Sequence, residues 1–143
     1  MIATLQTFEH GRLDFDATIP CIVTVQTGFM DSHEFRLFLN DGIKQLIEKK
    51  KVYDKIFWIA DVREADAIAL EDIEWVATDW TSRILSEGLT HMAFVKAKDE
   101  VANMSVTVYE ESTQELIVDG KKMTIANFSN IEEAKEWFLK MAV

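Results

Sequence analysis

The period of the apolar positions changes several times along the chain, and each change marks an element. Ile2 to Phe8 and Leu13 to Phe15 read as two short strands around the turn signal His10-Gly11, and Ile22 to Val25 reads as a third after Pro20. These three are expected to pair as antiparallel neighbours. After Gly28 the spacing becomes helical, with Phe35, Phe38, Leu39, Gly42 and Leu46 on one side. Asp31 with Glu34 three residues on resembles a capping box and places the helix start near residue 32. Gly42, lying on the apolar face, implies close backbone packing on the sheet. The unbroken run Ile56-Phe57-Trp58-Ile59-Ala60 has the pattern of a central strand covered on both faces.

A second helix is predicted from about Glu71 to Glu87, with Glu71 and Asp72 in its first turn and Gly88 as its stop. Met92 to Val95 reads as another buried strand. Asp99 or Glu100 opens a third helix carrying Val101, Met104, Ser105 and Val108 on one side. Met123 to Phe128 follows as a last strand after Asp119-Gly120. The end is a fourth helix, with Ser129 and Glu132 as its capping box and Ile131, Ala134, Phe138 and Met141 as its inner stripe. The order βββαβαβαβα predicts an α/β fold: a mixed β-sheet, antiparallel near the N-terminus and parallel later, with packed helices. No linker or repeat interrupts it, so residues 1–143 read as a single domain.

Composition narrows the partners. At 143 residues the chain can bury a stable core without disulfides or metals. A net charge of -10 repels phosphate backbones and anionic membrane surfaces, so nucleic acid is not an expected partner. The basic run Lys49-Lys50-Lys51 ends a predicted helix, where cations complement the dipole. Cys21, the single cysteine, sits beside Ile22 and Val23 as a buried strand residue, and a reduced, cytoplasmic setting is the expectation. The N-terminus lacks the pattern of a signal peptide, and no segment reaches the length of a transmembrane span.

Several short pieces occur in a telling order: Trp58-Ile59-Ala60-Asp61-Val62-Arg63, then Glu74-Trp75, then Glu87-Gly88-Leu89 leading into His91-Met92-Ala93-Phe94-Val95. Ala102-Asn103-Met104-Ser105 follows, and Phe128 with Ile131-Glu132-Glu133-Ala134-Lys135-Glu136-Trp137-Phe138 closes the set. In this order and spacing, from about Thr24 to Phe138, the chain resembles the SpoIIAA-like family of STAS-type domains, also described as STAS/SEC14-like. The resemblance implies a small, soluble, bacterial α/β protein with a mixed sheet. In the better understood STAS regulators an acidic strand end leads to an Asp-Ser pair whose serine is phosphorylated by a partner kinase. Asp61 matches that acidic strand end. The serine position falls among Ile68-Ala69-Leu70-Glu71, which carry no hydroxyl, so a phosphoserine switch is not among the expectations.

Candidate chemistry is sparse. Asp61 and Arg63 stand at the carboxyl end of a central strand, where α/β sheets bind ligands, and an arginine there can grip a carboxylate or phosphate. The plainer reading is a turn cap and a partly exposed ion pair. Trp75 points almost opposite to the apolar stripe Ile73, Val76, Ala77, Trp80 and Ile84, among Asp72, Asp79 and Arg83. It reads as a ligand or subunit anchor, or as a ring packed beneath a neighbouring segment. Asp79 and Arg83, four apart, form a surface pair. His10, His33 and His91 lack zinc-site spacing, and no phosphate loop or nucleophile elbow is present. No catalytic residue, metal or cofactor is therefore assigned. Phe29, Phe35, Phe38, Phe57, Trp58, Trp80, Phe94 and Met104 fill a core or line an apolar cavity.

The sequence thus reads as a non-catalytic STAS-like binding or regulatory module that recognises a protein partner or a small apolar or anionic ligand through Asp61, Arg63, Trp75, Asp79 and Arg83. The rival readings are a lipid-binding SEC14-like module, a hydrolase or isomerase using acidic residues at the same edge, and an architectural homo-oligomer, such as a homodimer closed by Trp75.

Overall fold

Connections of two and four residues follow the first two strands, too short to cross a sheet, so the chain turns back beside itself. β1 (Ile2–Phe8), β2 (Gly11–Asp16) and β3 (Cys21–Gln26) accordingly pair antiparallel. A helix then separates each later strand from the one before, and β4 (Phe57–Asp61), β5 (His91–Val95) and β6 (Thr124–Phe128) add in parallel. The result is one six-stranded mixed sheet in the order β1 to β6. The computed structural model describes residues 2–96 and 100–142. Among them, no helix is long and apolar enough to cross a membrane.

Each parallel crossover advances one strand in the same direction, and a constant hand therefore puts every crossover helix on one face. That face carries α1 (Ser32–Lys50), α2 (Leu70–Trp75) continuing through a π turn (Val76–Trp80) into α3 (Thr81–Ser86), and α4 (Glu100–Thr113). They pack on Leu13, Phe15, Ile22, Trp58, Ala60, Met92 and Phe94. The alternate strand residues Cys21, Val23, Val25, Phe57, Ile59, Ala93 and Val95 face the other way, under α5 (Ile131–Ala142). β4 is buried on both faces, as its unbroken apolar run predicts.

α1 begins as expected, with the Asp31 carboxylate accepting the Glu34 N–H at 2.8 Å. Glu34 does not complete a capping box. Its carboxylate reaches across to the β1–β2 turn, accepting the His10 backbone N–H at 2.9 Å and meeting His10 Nδ1 at 2.8 Å. Farther along, α1 presses its backbone onto the sheet at Gly42. A Cβ there would lie 2.7 Å from the Trp58 ring, so only glycine allows the approach. Trp58 is 1% exposed, donates its indole N–H to Thr24 Oγ1 at 3.3 Å and meets Trp80 edge-on with ring centroids 5.1 Å apart.

The segment predicted as one helix from Glu71 to Glu87 runs from Leu70 to Ser86, stops at Gly88 with φ +91, and buries the predicted stripe Ile73, Val76, Ala77, Trp80 and Ile84. Its π turn was not predicted. α4 differs in phase: Ser105 is buried as expected, but Val106, Tyr109 and Thr113 are buried beside it, whereas Met104 is 62% exposed and Val108 only half-buried. Asp99, one of its two expected first residues, lies outside the described residues, as does the side chain of Val101. The α5 cap also shifts by one residue, because Asn130 Oδ1 accepts the Glu133 N–H at 2.9 Å and Glu133 returns a contact to the Asn130 amide. Of the inner stripe expected there, Ala134 and Phe138 are fully buried and Ile131 is half-buried, but Met141 is exposed and Trp137 takes its place. Phe29, considered for the interior, is exposed as well, and Phe57 packs on the α5 face, stacked on Phe138 at 4.3 Å.

The Lys135 ammonium pairs with the buried Asp16 carboxylate, tying α5 to β2. Burial pushes the Asp16 pKa up, but the Lys135 and Thr18 hydrogen bonds together hold it below the ordinary carboxylate value. Burial and the Asp16 charge push the Cys21 thiol up to about 12, so it stays neutral.

Two predictions follow from this packing. Gly42→Ala gains about 1 kcal/mol of helix propensity but forces Trp58 off its seat at a cost of about 1–3 kcal/mol; urea melts are expected to show net destabilisation. An unchanged midpoint would mean that α1 does not sit this close to the ring. The second concerns His10, whose pKa the Glu34 hydrogen bond raises above the ordinary 6.5 against a smaller desolvation effect. A folded-state pKa raised in this way gives stability that is complete below the unfolded value and is lost as pH rises through the folded value. Glu34→Gln should bring the His10 pKa back toward 6.5 in an NMR titration. It should also cost more stability below pH about 6 than above about 8.

Candidate functional site

The carboxyl edge of the parallel strands is where side chains of β4, β5 and β6 leave the sheet. Asp61, the last residue of β4, is buried and accepts Arg63 Nη2 at 2.8 Å, Arg63 Nε at 3.0 Å and the Arg63 backbone N–H at 3.2 Å. The paired geometry raises the Arg63 pKa, with burial opposing and the charge of Glu132 on α5 adding. Strand alternation places Asp61 with Ile59, on the α5 side. The carboxylate therefore serves to hold Arg63 in a two-residue turn.

Beside this pair, Arg63, Lys96, Asn127, Phe128, Ser129 and Glu133 border an open groove of about 560 Å³. The connection after β5 goes to one face of the sheet and that after β6 to the other, which makes the groove a topological switch point. Arg63 already has its carboxylate partner, and Asn130 already serves the first turn of α5.

Trp75, Asp79 and Arg83 lie elsewhere, on the seam between α1 and the α2–α3 segment. The Arg36 and Arg83 guanidinium carbons stand 5.0 and 5.8 Å from the Trp75 ring centroid, so two cations occupy the half-buried indole. Arg36 also pairs with the buried Asp72 at 3.2 Å, which accepts the Ser32 hydroxyl at 2.7 Å. Arg83 reaches Asn40 at 2.7 Å and Asp79 at 3.0 Å. The predicted contact residues thus form two groups. Asp61 and Arg63 stand at the strand end, Trp75, Asp79 and Arg83 on a helix seam, and no hydrogen bond or ion pair among the described residues joins them.

Between the helices and the sheet, near the same strand ends, lies an apolar cavity of about 70 Å³. Phe35, Phe38 and Leu39 of α1 and Trp58 and Ala60 of β4 form two walls. Ile73, Val76 and Trp80 approach from the α2–α3 segment, Met92 and Phe94 from β5, and Tyr109 from α4. The loop 62–69 borders the space through Val62 and Ile68. Three described links to other elements hold that loop: Val62 N–H to the Val95 carbonyl at 3.0 Å, Asp66 N–H to the Gly28 carbonyl at 3.1 Å, and Ile68 N–H to Ser105 Oγ at 3.1 Å.

Sequence reasoning named five of the cavity's aromatic or apolar lining residues, and Asp61, but missed its uncharged polar ones, Thr24, Gln26 and Tyr109. A signal existed for two of them. Thr24 and Gln26 continue the inward positions of β3 after Ile22, so two successive polar residues occupy a face that elsewhere is apolar. Glu9, His10 and Glu34 bring potential metal ligands within 4.8 Å of one another. Both Glu34 oxygens already bind His10, and the cluster is accounted for as the tie between the turn and α1.

No family model, curated protein or solved structure matches the chain.

Proposed function

We propose that the protein is a non-catalytic, STAS-like binding module whose ligand is a small, mostly apolar molecule held in the cavity between β4, α1, the π turn and α4. The observation that carries this reading is the pocket itself: a partly open apolar space at the carboxyl end of a parallel sheet, bordered by loop 62–69. Its size argues against an acyl chain. About 70 Å³ is roughly half of a cavity that admits benzene, so a lipid tail does not fit the space as it stands. A hydrolase or isomerase would need a carboxylate facing this space. Asp61, the carboxylate-bearing residue along the lining, turns to the α5 side and is gripped by Arg63. The Trp75 ring, occupied by Arg36 and Arg83, serves the helix seam in this reading rather than an external partner.

Native mass spectrometry of the protein purified from its own host tests the reading, with Ala60→Val as the control. Ala60 borders the cavity on a strand, where a β-branched residue fits, and two added methyl groups fill much of the space. The wild type should carry an extra mass that is absent from the variant, while the variant gains stability of about 1 kcal/mol from the filled void. An extra mass retained by Ala60→Val would place the ligand elsewhere.

Loop 62–69 should act as the entrance. Ser105→Ala removes the acceptor of the Ile68 N–H and one of the loop's three described ties. A loss of about 1 kcal/mol confined to the loop should speed amide exchange at Ile68 roughly fivefold and leave exchange in β4 unchanged. Equal acceleration in β4 would show that the loop opens only with the whole domain.

A further inference from the structure

The lining of the apolar space is graded along the strands. Trp58 and Met92, opposite each other in β4 and β5, are 1% and 2% exposed, Ala60 and Phe94 come next at 9% and 8%, and Val62 beyond them is half-buried. The space therefore has an inner end at Trp58 and Met92 and an outer end at loop 62–69, where Arg63 and Glu64 are exposed. Gln26, two residues past Thr24 on β3, belongs to the outer end and donates its amide to the Gly28 carbonyl at 3.2 Å. Apart from Gln26, the side-chain donors of the lining are Trp58, Trp80, Thr24 and Tyr109, and each gives its hydrogen to an acceptor within the protein. Trp58 donates to Thr24 Oγ1 at 3.3 Å and Trp80 to the Leu39 carbonyl at 2.9 Å, while Thr24 donates to the Ile59 carbonyl at 3.4 Å. Tyr109 Oη lies 2.8 Å from Thr81 Oγ1, whose own hydrogen goes to the Val76 carbonyl at 2.7 Å, so Tyr109 is the donor of the bond between them.

A ligand oxygen carried to the inner end would leave its water donors behind and find the hydrogens of the wall already engaged, which is costly. A charged group fares worse, because the Asp61 carboxylate and the Arg63 guanidinium satisfy each other at the strand end. A methyl or methylene group, by contrast, loses no hydrogen bond and gains contact with the aromatic walls. The size of the space sets how much of it can enter: about 70 Å³, half of a cavity that admits the six carbons of benzene, holds about three carbons. We infer that the ligand is a small amphiphile bound by one end, with a short alkyl group at Trp58 and Met92 and its polar group left in water at loop 62–69. This inference rests on the binding reading above and adds to it which end of the ligand enters. Selection then acts on the alkyl end, and a second polar group at that end is rejected.

The test uses three probes on the intact chain, read by the ¹³C-methyl signals of Met92 and Val62: xenon, 1-propanol and 1,3-propanediol. Xenon asks only whether the apolar space is open to a guest. The alcohol is expected to bind about tenfold or more tighter than the diol, which must carry a hydroxyl to the inner end whichever way it enters. In the alcohol complex, nuclear Overhauser contacts should join the propanol methyl group to Met92 and its hydroxyl-bearing carbon to Val62. Tyr109→Phe deletes a hydroxyl whose hydrogen Thr81 already holds, so the alcohol-to-diol ratio should not change; a changed ratio would show that the hydroxyl serves the guest and would overturn the inference. If xenon binds but the diol matches the alcohol, or if the contacts to Met92 and Val62 are reversed, the inference is overturned and the cavity reading survives. If neither xenon nor the alcohol moves the Met92 signal, the cavity reading and the inference fall together.

Discussion

The close seating of α1 on Trp58 is the constraint on which the rest of the apolar face depends. Gly42 lets the helix backbone approach to a distance that a methyl group would prevent, and the indole held beneath it is almost completely buried. That indole is fixed at its N–H by Thr24 and on its edge by Trp80, which in turn donates to the Leu39 carbonyl of α1 at 2.9 Å. Sheet, first helix and π turn thus meet at a pair of tryptophans oriented by hydrogen bonds as well as packing. Large rigid rings with fixed directions cannot close up around every gap. The small cavity beside them is the space that remains.

The two faces of the sheet solve different problems. On the helical face three connections share one core, and the seam between α1 and α2–α3 is completed by polar pairs at Asp72, Arg36, Trp75, Arg83 and Asn40. Arginine suits this position because its planar group can lie on an indole while its edge binds oxygen. On the other face α5 is alone and covers the sheet with two buried side chains, Ala134 and Phe138, plus the Lys135 bond to Asp16. A buried ion pair contributes little net stability, but separating it is costly, so its effect is to fix where α5 sits.

Much of this was legible in the sequence. Strand identity, element order and the mixed sheet follow from switches between periods of two and about three and a half, which the structure reproduces to within a residue or two. Gly42 was legible for the same reason, as a glycine on an apolar stripe. The errors are local and physical. Among the described residues of α4 the stripe runs through Ser105, Val106 and Tyr109 rather than Met104, and Tyr109, an apolar body with a polar tip, takes an inner position. The α5 cap moved from Ser129 to Asn130 because either residue has the chemistry and only the strand's end decides. The candidate site was read less well. Charged residues stand out in a sequence, so Asp61, Arg63, Asp79 and Arg83 drew attention, yet their charges are matched by each other. The cavity's polar atoms belong to Thr24, Gln26 and Tyr109, uncharged residues whose importance depends on bonds that only three dimensions reveal.

The π turn shows why such a site is invisible to periodicity. A wider turn reduces the rotation per residue, so Trp80 and Thr81 both lie on the inner side of the same segment. Val76 then offers one carbonyl to both the backbone N–H and the hydroxyl of Thr81. That pair of hydrogen bonds from one residue to one carbonyl directs the Thr81 oxygen toward Tyr109 and engages the Tyr109 hydroxyl hydrogen. An α-helical turn would break the arrangement at its source, because Thr81 would bond one residue later and its hydroxyl would leave Val76. The irregular turn and the Val76–Thr81–Tyr109 hydrogen-bond chain beside the cavity are therefore a single feature, set by where five residues of helix fail to be regular.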